Sequence, residues 1–173
     1  MEKRSESKMK TEFFEIDVSG EDILSKDYTI CIANKDGIIK GFKFNEKLIK
    51  DLSSRYGQGF YRYKKSQKEK ALFKVRVYCI AIYYIFKSIK IKGDLSLNIC
   101  RDFDGKENDI KENLRFLLDN RLGLRLDNQI IFTKLDKEST ANKYAFLMRK
   151  DKKNKLSTYI KITLPDFEEF LKK

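Results

Sequence analysis

Histidine is absent from the 173 residues. Ser-His and Cys-His nucleophile pairs are therefore excluded, as is any zinc site that needs an imidazole. Acid–base or metal chemistry must come from Asp, Glu, Lys or Tyr. Cysteine is scarce too: Cys31, Cys79 and Cys100 stand far apart in apolar runs, with no C-x-x-C pair. That usage fits a reducing cytoplasm rather than a disulfide framework. One proline and eight glycines leave no stretch with the composition of a long flexible linker. Long hydrophobic runs are missing. The longest uncharged apolar stretch, Val77–Phe86, would span ~15 Å as a helix, half a bilayer core, so no membrane partner is expected. Met1–Lys10 is charged and has no apolar h-region. A disordered tail is expected there, without a secretory leader.

What is present suits a folded core. Hydrophobic residues make up 41% and aromatics 13% of the chain, and one domain over residues 11–173 is the expectation. The charged fraction of 37% is well above the usual ~25%. Net charge is +12, unevenly spread. Arg55–Lys92 holds eleven basic residues against the single acid Glu69, and Lys143–Lys161 holds seven against Asp151. Two basic segments on an otherwise slightly acidic chain predict a positive face for a polyanion.

Periodicity predicts the elements. Phe13–Val18 fits a short edge strand. Tyr28–Ala33 and Ile38–Phe44 flank Asn34–Gly37, whose Asp-Gly pair suits a hairpin turn. Asn45 caps a helix over Glu46–Arg55. Tyr56–Ser66 fits an irregular segment or a third short strand. Gln67–Ile89 carries apolar residues at three- and four-residue steps and predicts a long helix. Leu95, Leu97 and Ile99 alternate with Ser96 and Asn98 as a half-buried strand does, and Asp102 and Asp104 follow where it leaves the core. A helix then starts after Gly105. Gln129–Thr133 predicts a strand, Ala141–Arg149 a helix capped from Ser139 and Thr140, and Leu156–Thr163 a last strand. Pro165 opens a final helix. The fold class is α/β or α+β with a mixed sheet.

Hairpin, extended piece, long helix, strand ending in acids, helix, strand, helix: over Tyr28–Arg149 this order resembles the ribonuclease H-like superfamily of ribonucleases H, junction resolvases and transposases. The resemblance implies a divalent-metal-dependent nuclease. Its acids lie on the first strand, the first long helix, the end of the fourth strand and a late helix, and hold Mg²⁺ or Mn²⁺. It assigns catalysis to Asp102, Asp104 and Glu69, and metal binding to Asp102, Asp104 and Asp36. Two positions depart from the pattern. Asn142, in Ala141-Asn142-Lys143-Tyr144-Ala145, stands where the late-helix acid belongs. The strand Ile30–Ala33 has no acid, with Asn34 near the expected place. Amide oxygens carry no charge, so two ions would be poorly neutralised. An atypical site, a one-metal site and an inactive one all remain open.

The stronger signal is basic and aromatic. Arg55, Tyr61, Arg62, Tyr63, Lys64, Lys65 and Lys68 interleave rings that stack on bases with cations that contact phosphates. Lys152, Lys153 and Lys155 form a second cluster suited to phosphate contact. The expected partner is nucleic acid. The rival expectation is a non-catalytic interaction protein, of the kind found in mobile elements and defence systems, that binds an acidic partner.

Overall fold

Glu12–Ser19 is not an edge strand: it is β1, the middle strand of the sheet. The computed structural model describes residues 11–126 and 129–172, so the tail expected at 1–10 lies outside the described residues. After β1 come β2 (Thr29–Ala33), β3 (Ile39–Lys43), α1 (Glu46–Gly57), α2 (Gln67–Ile89), β4 (Leu95–Cys100), α3 (Glu107–Leu114), a π-helical turn (Arg115–Asn120), β5 (Ile130–Thr133), α4 (Thr140–Lys150) and α5 (Leu164–Glu168). One mixed sheet runs β3-β2-β1-β4-β5. β2 is antiparallel to β1 and β3, whereas β4 is parallel to β1 and β5. This is an α/β fold. No helix among the described residues is long and apolar enough to cross a membrane.

Strand alternation sends two sets of side chains to opposite faces. Phe14 and Ile16 join Leu95, Leu97 and Ile99 in the main core beneath α2. Phe14 meets Phe86 of α2 edge-on at 5.2 Å. The other face of β1 carries Phe13, Glu15 and Asp17, and α4 lies across it. Asn142 and Ser139 reach Asp17 and Glu15 from that helix. Small residues let α4 come close. Ala141, Ala145 and Met148 recur on one helical stripe over Cys31, Ala33 and Gly41.

Gly41 marks the tightest approach. A Cβ built there would lie 2.6 Å from Met148 Cε and 2.7 Å from the Ile30 carbonyl oxygen. Met148 can swing away, but the neighbouring strand's backbone cannot. Gly41→Ala is therefore expected to destabilise the fold by ~1–3 kcal/mol, as overpacking does. Urea denaturation checks this, and an unchanged midpoint would refute the packing argument.

The strand expected over Leu156–Thr163 does not form. Over Leu156–Thr163 only Tyr159 pairs, in an isolated bridge to Gly41, because this segment runs past β3 without keeping register. Tyr56–Ser66 is the irregular alternative: it leaves α1, and Tyr61 makes one bridge to Lys172. The caps hold as expected. Asn45 and Ser139 accept backbone N–H groups of Leu48 and Asn142. Thr163 and Asp166 form a capping box at the last helix.

Candidate functional site

Parallel pairing of β1 with β4 sets Ile16 opposite Ile99. Asp17 and Cys100, each one residue further, are thus neighbours on the α4 face, at the carboxyl ends of two parallel strands. Ligands in open α/β sheets gather at such strand ends. Asp17 is 3% exposed, yet no lysine or arginine pairs with it among the described residues. Its Oδ1 accepts the Val18 N–H at 2.7 Å, and its Oδ2 accepts the Asn142 side-chain amide at 2.8 Å. The Cys100 thiol is pushed up to about 11 by burial, then by the charge and hydrogen bond of Asp17.

Asp102 stands two residues beyond β4, on the open side of this pair. The buried Tyr28 donates its hydroxyl to Asp102 Oδ2 at 2.5 Å. Tyr28 reaches that oxygen because Gly20 lies beneath its ring. A Cβ at Gly20 would meet Tyr28 Cδ2 at 2.9 Å, and φ is +129° there. Partial burial raises the Asp102 pKa, the Tyr28 bond opposes that rise, and the charges of Asp17, Asp22 and Asp104 add to it. Burial and the same carboxylate hold the Tyr28 hydroxyl protonated, far above its usual range.

A cleft of about 270 Å³ opens beside Asp102, walled by Glu21, Asp22, Asp104, Lys74 and Lys106. Lys74 projects from α2 and donates to Asp22 Oδ2 at 2.6 Å, while Asp22 Oδ1 accepts the Leu24 N–H at 2.8 Å. Burial alone would raise the Asp22 pKa. The Lys74 bond, the Leu24 N–H and the charges of Lys74 and Lys70 outweigh it, and the pKa is lowered. One turn after Lys74, the buried Tyr78 backs the cleft and packs against Phe103 at 4.9 Å. A larger trough of about 510 Å³ on the α4 face holds one acid, Glu15, and one cation, Lys35.

The expected site residues divide. Asp102 and Asp104 do share one cleft. Glu69 does not line it. It sits in the first turn of α2, where Ser66 accepts its backbone N–H at 3.1 Å. Asp36 is at the other end of the sheet. It belongs to the turn after Ala33, with its N–H on Asn34 Oδ1 at 3.1 Å. The length of β2, ~17 Å for five residues, separates it from Tyr28 and Asp102. β1 precedes β2 as the first strand, and the acid buried on it is Asp17.

The binding residues divide too. Tyr61 is 1% exposed and stacks on Phe73 at 5.7 Å, so no base can reach its face. Tyr63 is half-buried on the same ring. Arg55 pairs with the buried Glu168 at 3.2 Å. Arg62 donates to the Phe170 carbonyl at 2.6 Å. Lys64, Lys65 and Lys68 are exposed just before the cleft-lining turn of α2, and Lys152, Lys153 and Lys155 are exposed after α4. Asn154 of that second cluster shares a hollow with Lys43, at the carboxyl end of β3. Since β3 and β1 both run antiparallel to β2, both lysine groups flank the sheet end that holds Asp102.

Among the described residues no three Asp, Glu or Cys side chains converge as a cage for a metal ion. Mg²⁺ is commonly held by one or two carboxylates plus water and substrate phosphates, and Asp17 and Asp102 are the carboxylates at this end of β1 and β4. No protein-family model matches the chain, and no match was found among curated proteins or solved structures.

Proposed function

We propose that the chain is a ribonuclease H-like protein that binds nucleic acid across the carboxyl ends of β1 and β4 and cleaves phosphodiesters there with one divalent cation. The observation that carries this reading is a juxtaposition. Asp17 of the first strand is bonded to Asn142 of the late helix, and Asp102 follows the fourth strand. In chain order these are three of the four positions that hold metal ions in the family the sequence resembles. The fourth, on the long helix, has Ala71 and Lys74 lining the cleft in place of an acid. Lysines on both flanks supply the phosphate contacts.

Asp17, Asp102 and Asn142 would hold the cation, which would supply Lewis-acid polarisation and an activated water. The chain's own groups prepare that. Tyr28 fixes the Asp102 carboxylate. Asn142 fixes Asp17. Lys74 and Lys106 present ammonium groups to phosphate oxygens at the cleft wall. Tyr78 and Phe103 close the rear against water.

The test uses labelled single-stranded, duplex and branched DNA, RNA and an RNA–DNA hybrid, each with Mn²⁺ or EDTA, on native and denaturing gels. The expected result is Mn²⁺-dependent cleavage of at least one substrate, lost in Asp102→Asn while the native shift persists. Cleavage that survives Asp102→Asn overturns the site assignment. A shift without cleavage makes the protein a binding module. No shift at low salt overturns the nucleic-acid reading and favours a protein partner.

A further inference from the structure

Arg76 of α2 is 9% exposed, and no carboxylate pairs with it among the described residues. Its Nε donates to the Phe170 carbonyl at 3.2 Å and its Nη1 to Asn113 Oδ1 at 2.6 Å. Asn113 is aimed by its own amide bond to the Asp109 carbonyl at 2.7 Å. The guanidinium also lies 5.3 Å from the Phe116 ring and 6.0 Å from the Phe170 ring. All these partners are neutral. Burial lowers the Arg76 pKa, the neighbouring Tyr63 opposes that, and the charge of Arg62 adds to it.

A second guanidinium meets the same carbonyl. The exposed Arg62 donates its Nη2 to Phe170 O at 2.6 Å. A carbonyl oxygen has two lone pairs and accepts from both guanidinium groups, but it supplies neither with a counter-charge. The neighbouring acid Glu169 is already engaged by Arg121 at 3.1 Å and by the Tyr84 hydroxyl. Arg62 Nε and Nη1, and Arg76 Nη2, keep no hydrogen-bond partner among the described residues. Two adjacent guanidinium forks with unspent donors and no anion match the several acceptor oxygens of a phosphate. A buried guanidinium without a counter-charge is costly, and a bound anion offsets that cost.

We infer that Arg62 and Arg76 together bind a phosphate group of a nucleotide chain, at a site separate from the cleft beside Asp102. Phe116, 40% exposed beside Arg76, offers a ring face to the attached base. The group is either an internal phosphodiester or a terminal monoester.

Arginine Nε–Hε resonances of the full chain, titrated with inorganic phosphate, test this without any cleavage readout. The Arg62 and Arg76 signals are expected to shift saturably, and Arg62→Ala or Arg76→Lys is expected to weaken phosphate binding tenfold or more. Arg62 is exposed, so its variant keeps the test valid if Arg76→Lys fails to fold. Decathymidylate with a 5′-phosphate is then compared with its 5′-hydroxyl form. Tighter binding of the phosphorylated form identifies a terminal monoester, and equal Arg62-dependent binding identifies internal phosphates. Unshifted signals, or phosphate binding unchanged in Arg62→Ala, overturn the inference. Loss of cleavage in Asp102→Asn bears on the other site alone.

Discussion

Asp17→Asn is expected to abolish Mn²⁺-dependent cleavage and to weaken the fold, whereas Asp102→Asn is expected to abolish cleavage and strengthen it slightly. The several kcal/mol a bound ion contributes to charge stabilisation correspond to about 10³-fold in rate, so either variant should fall to background. Stability separates them. Asp17 is buried and accepts from both the Val18 N–H and the Asn142 amide. An asparagine there must turn one amide group toward a donor, leaving buried groups unmatched at a cost of ~1–3 kcal/mol. Asp102 is different. Its folded-state pKa is raised, first by burial and then by neighbouring acids. What it contributes to stability is present below the ordinary carboxylate range and is lost as pH rises through the raised value. At neutral pH its charge works against the fold. Asp102→Asn keeps an acceptor for Tyr28 and removes that charge. Its Tm at pH 7 should rise by about 1–2 °C, a small gain because the carboxylate is only partly withdrawn from solvent and its charge is screened. The gain should vanish as pH falls below the carboxylate range. Asp22 acts oppositely. Its lowered pKa stabilises the fold above the ordinary carboxylate value, and that contribution fades as pH falls through the lowered one. Urea denaturation from pH 3 to 8 measures all three. A more stable Asp17→Asn, or one that still cleaves, would sink the assignment.

The elements were legible where local chemistry decides them. Asn45, Ser139 and Pro165 mark helix starts, and Asn34–Gly37 marks the hairpin, because caps and tight turns act within a few residues. The long helix over Gln67–Ile89 was legible from its period. The place of β1 was not. A central strand covered on both faces tends to read as a continuous apolar run, but β1 alternates Phe14 and Ile16 with Glu15 and Asp17. The polar members are tolerated because α4 meets them with Ser139 and Asn142, partners 124 and 125 residues away. No local pattern announces that. With β1 read as an edge, β2 stands as the first core strand, whose neighbouring polar residues are Asn34 and Asp36 and not the buried Asp17. The one available hint was an acid within an apolar alternation, followed after Val18 by Ser19-Gly20. Tyr28 and Lys74 were beyond reach for the same reason, since their partners Asp102 and Asp22 lie 74 and 52 residues off.

Phe73→Ala is expected to cost ~3–5 kcal/mol, as deletion of a fully buried ring does, while Lys64→Ala, Lys65→Ala and Lys68→Ala combined should leave stability almost unchanged. The reason is how Tyr56–Lys68 divides its side chains. Strand alternation would have split Tyr61 and Tyr63 from Phe60 and left one set facing solvent. The segment is not a strand, and three of its tyrosines turn onto one ring. Tyr56 stacks on Phe73 at 4.8 Å with an interplanar angle of 14°, Tyr61 lies at 5.7 Å and Tyr63 at 5.9 Å. Their aromatic area is spent on the core, leaving Phe60, 52% exposed, as the open ring of the group. The lysines remain in water, free to meet phosphates. The triple lysine variant should therefore bind nucleic acid more weakly. On duplex DNA its log-affinity against log-salt plot should lose about 0.9 of slope for each phosphate contact removed. Urea melts of Phe73→Ala and salt titrations of the lysine variant measure the two halves separately. A lysine variant with wild-type salt dependence would move the polyanion surface away from the start of α2, and a Phe73→Ala protein as stable as wild type would mean that the tyrosines are not core after all.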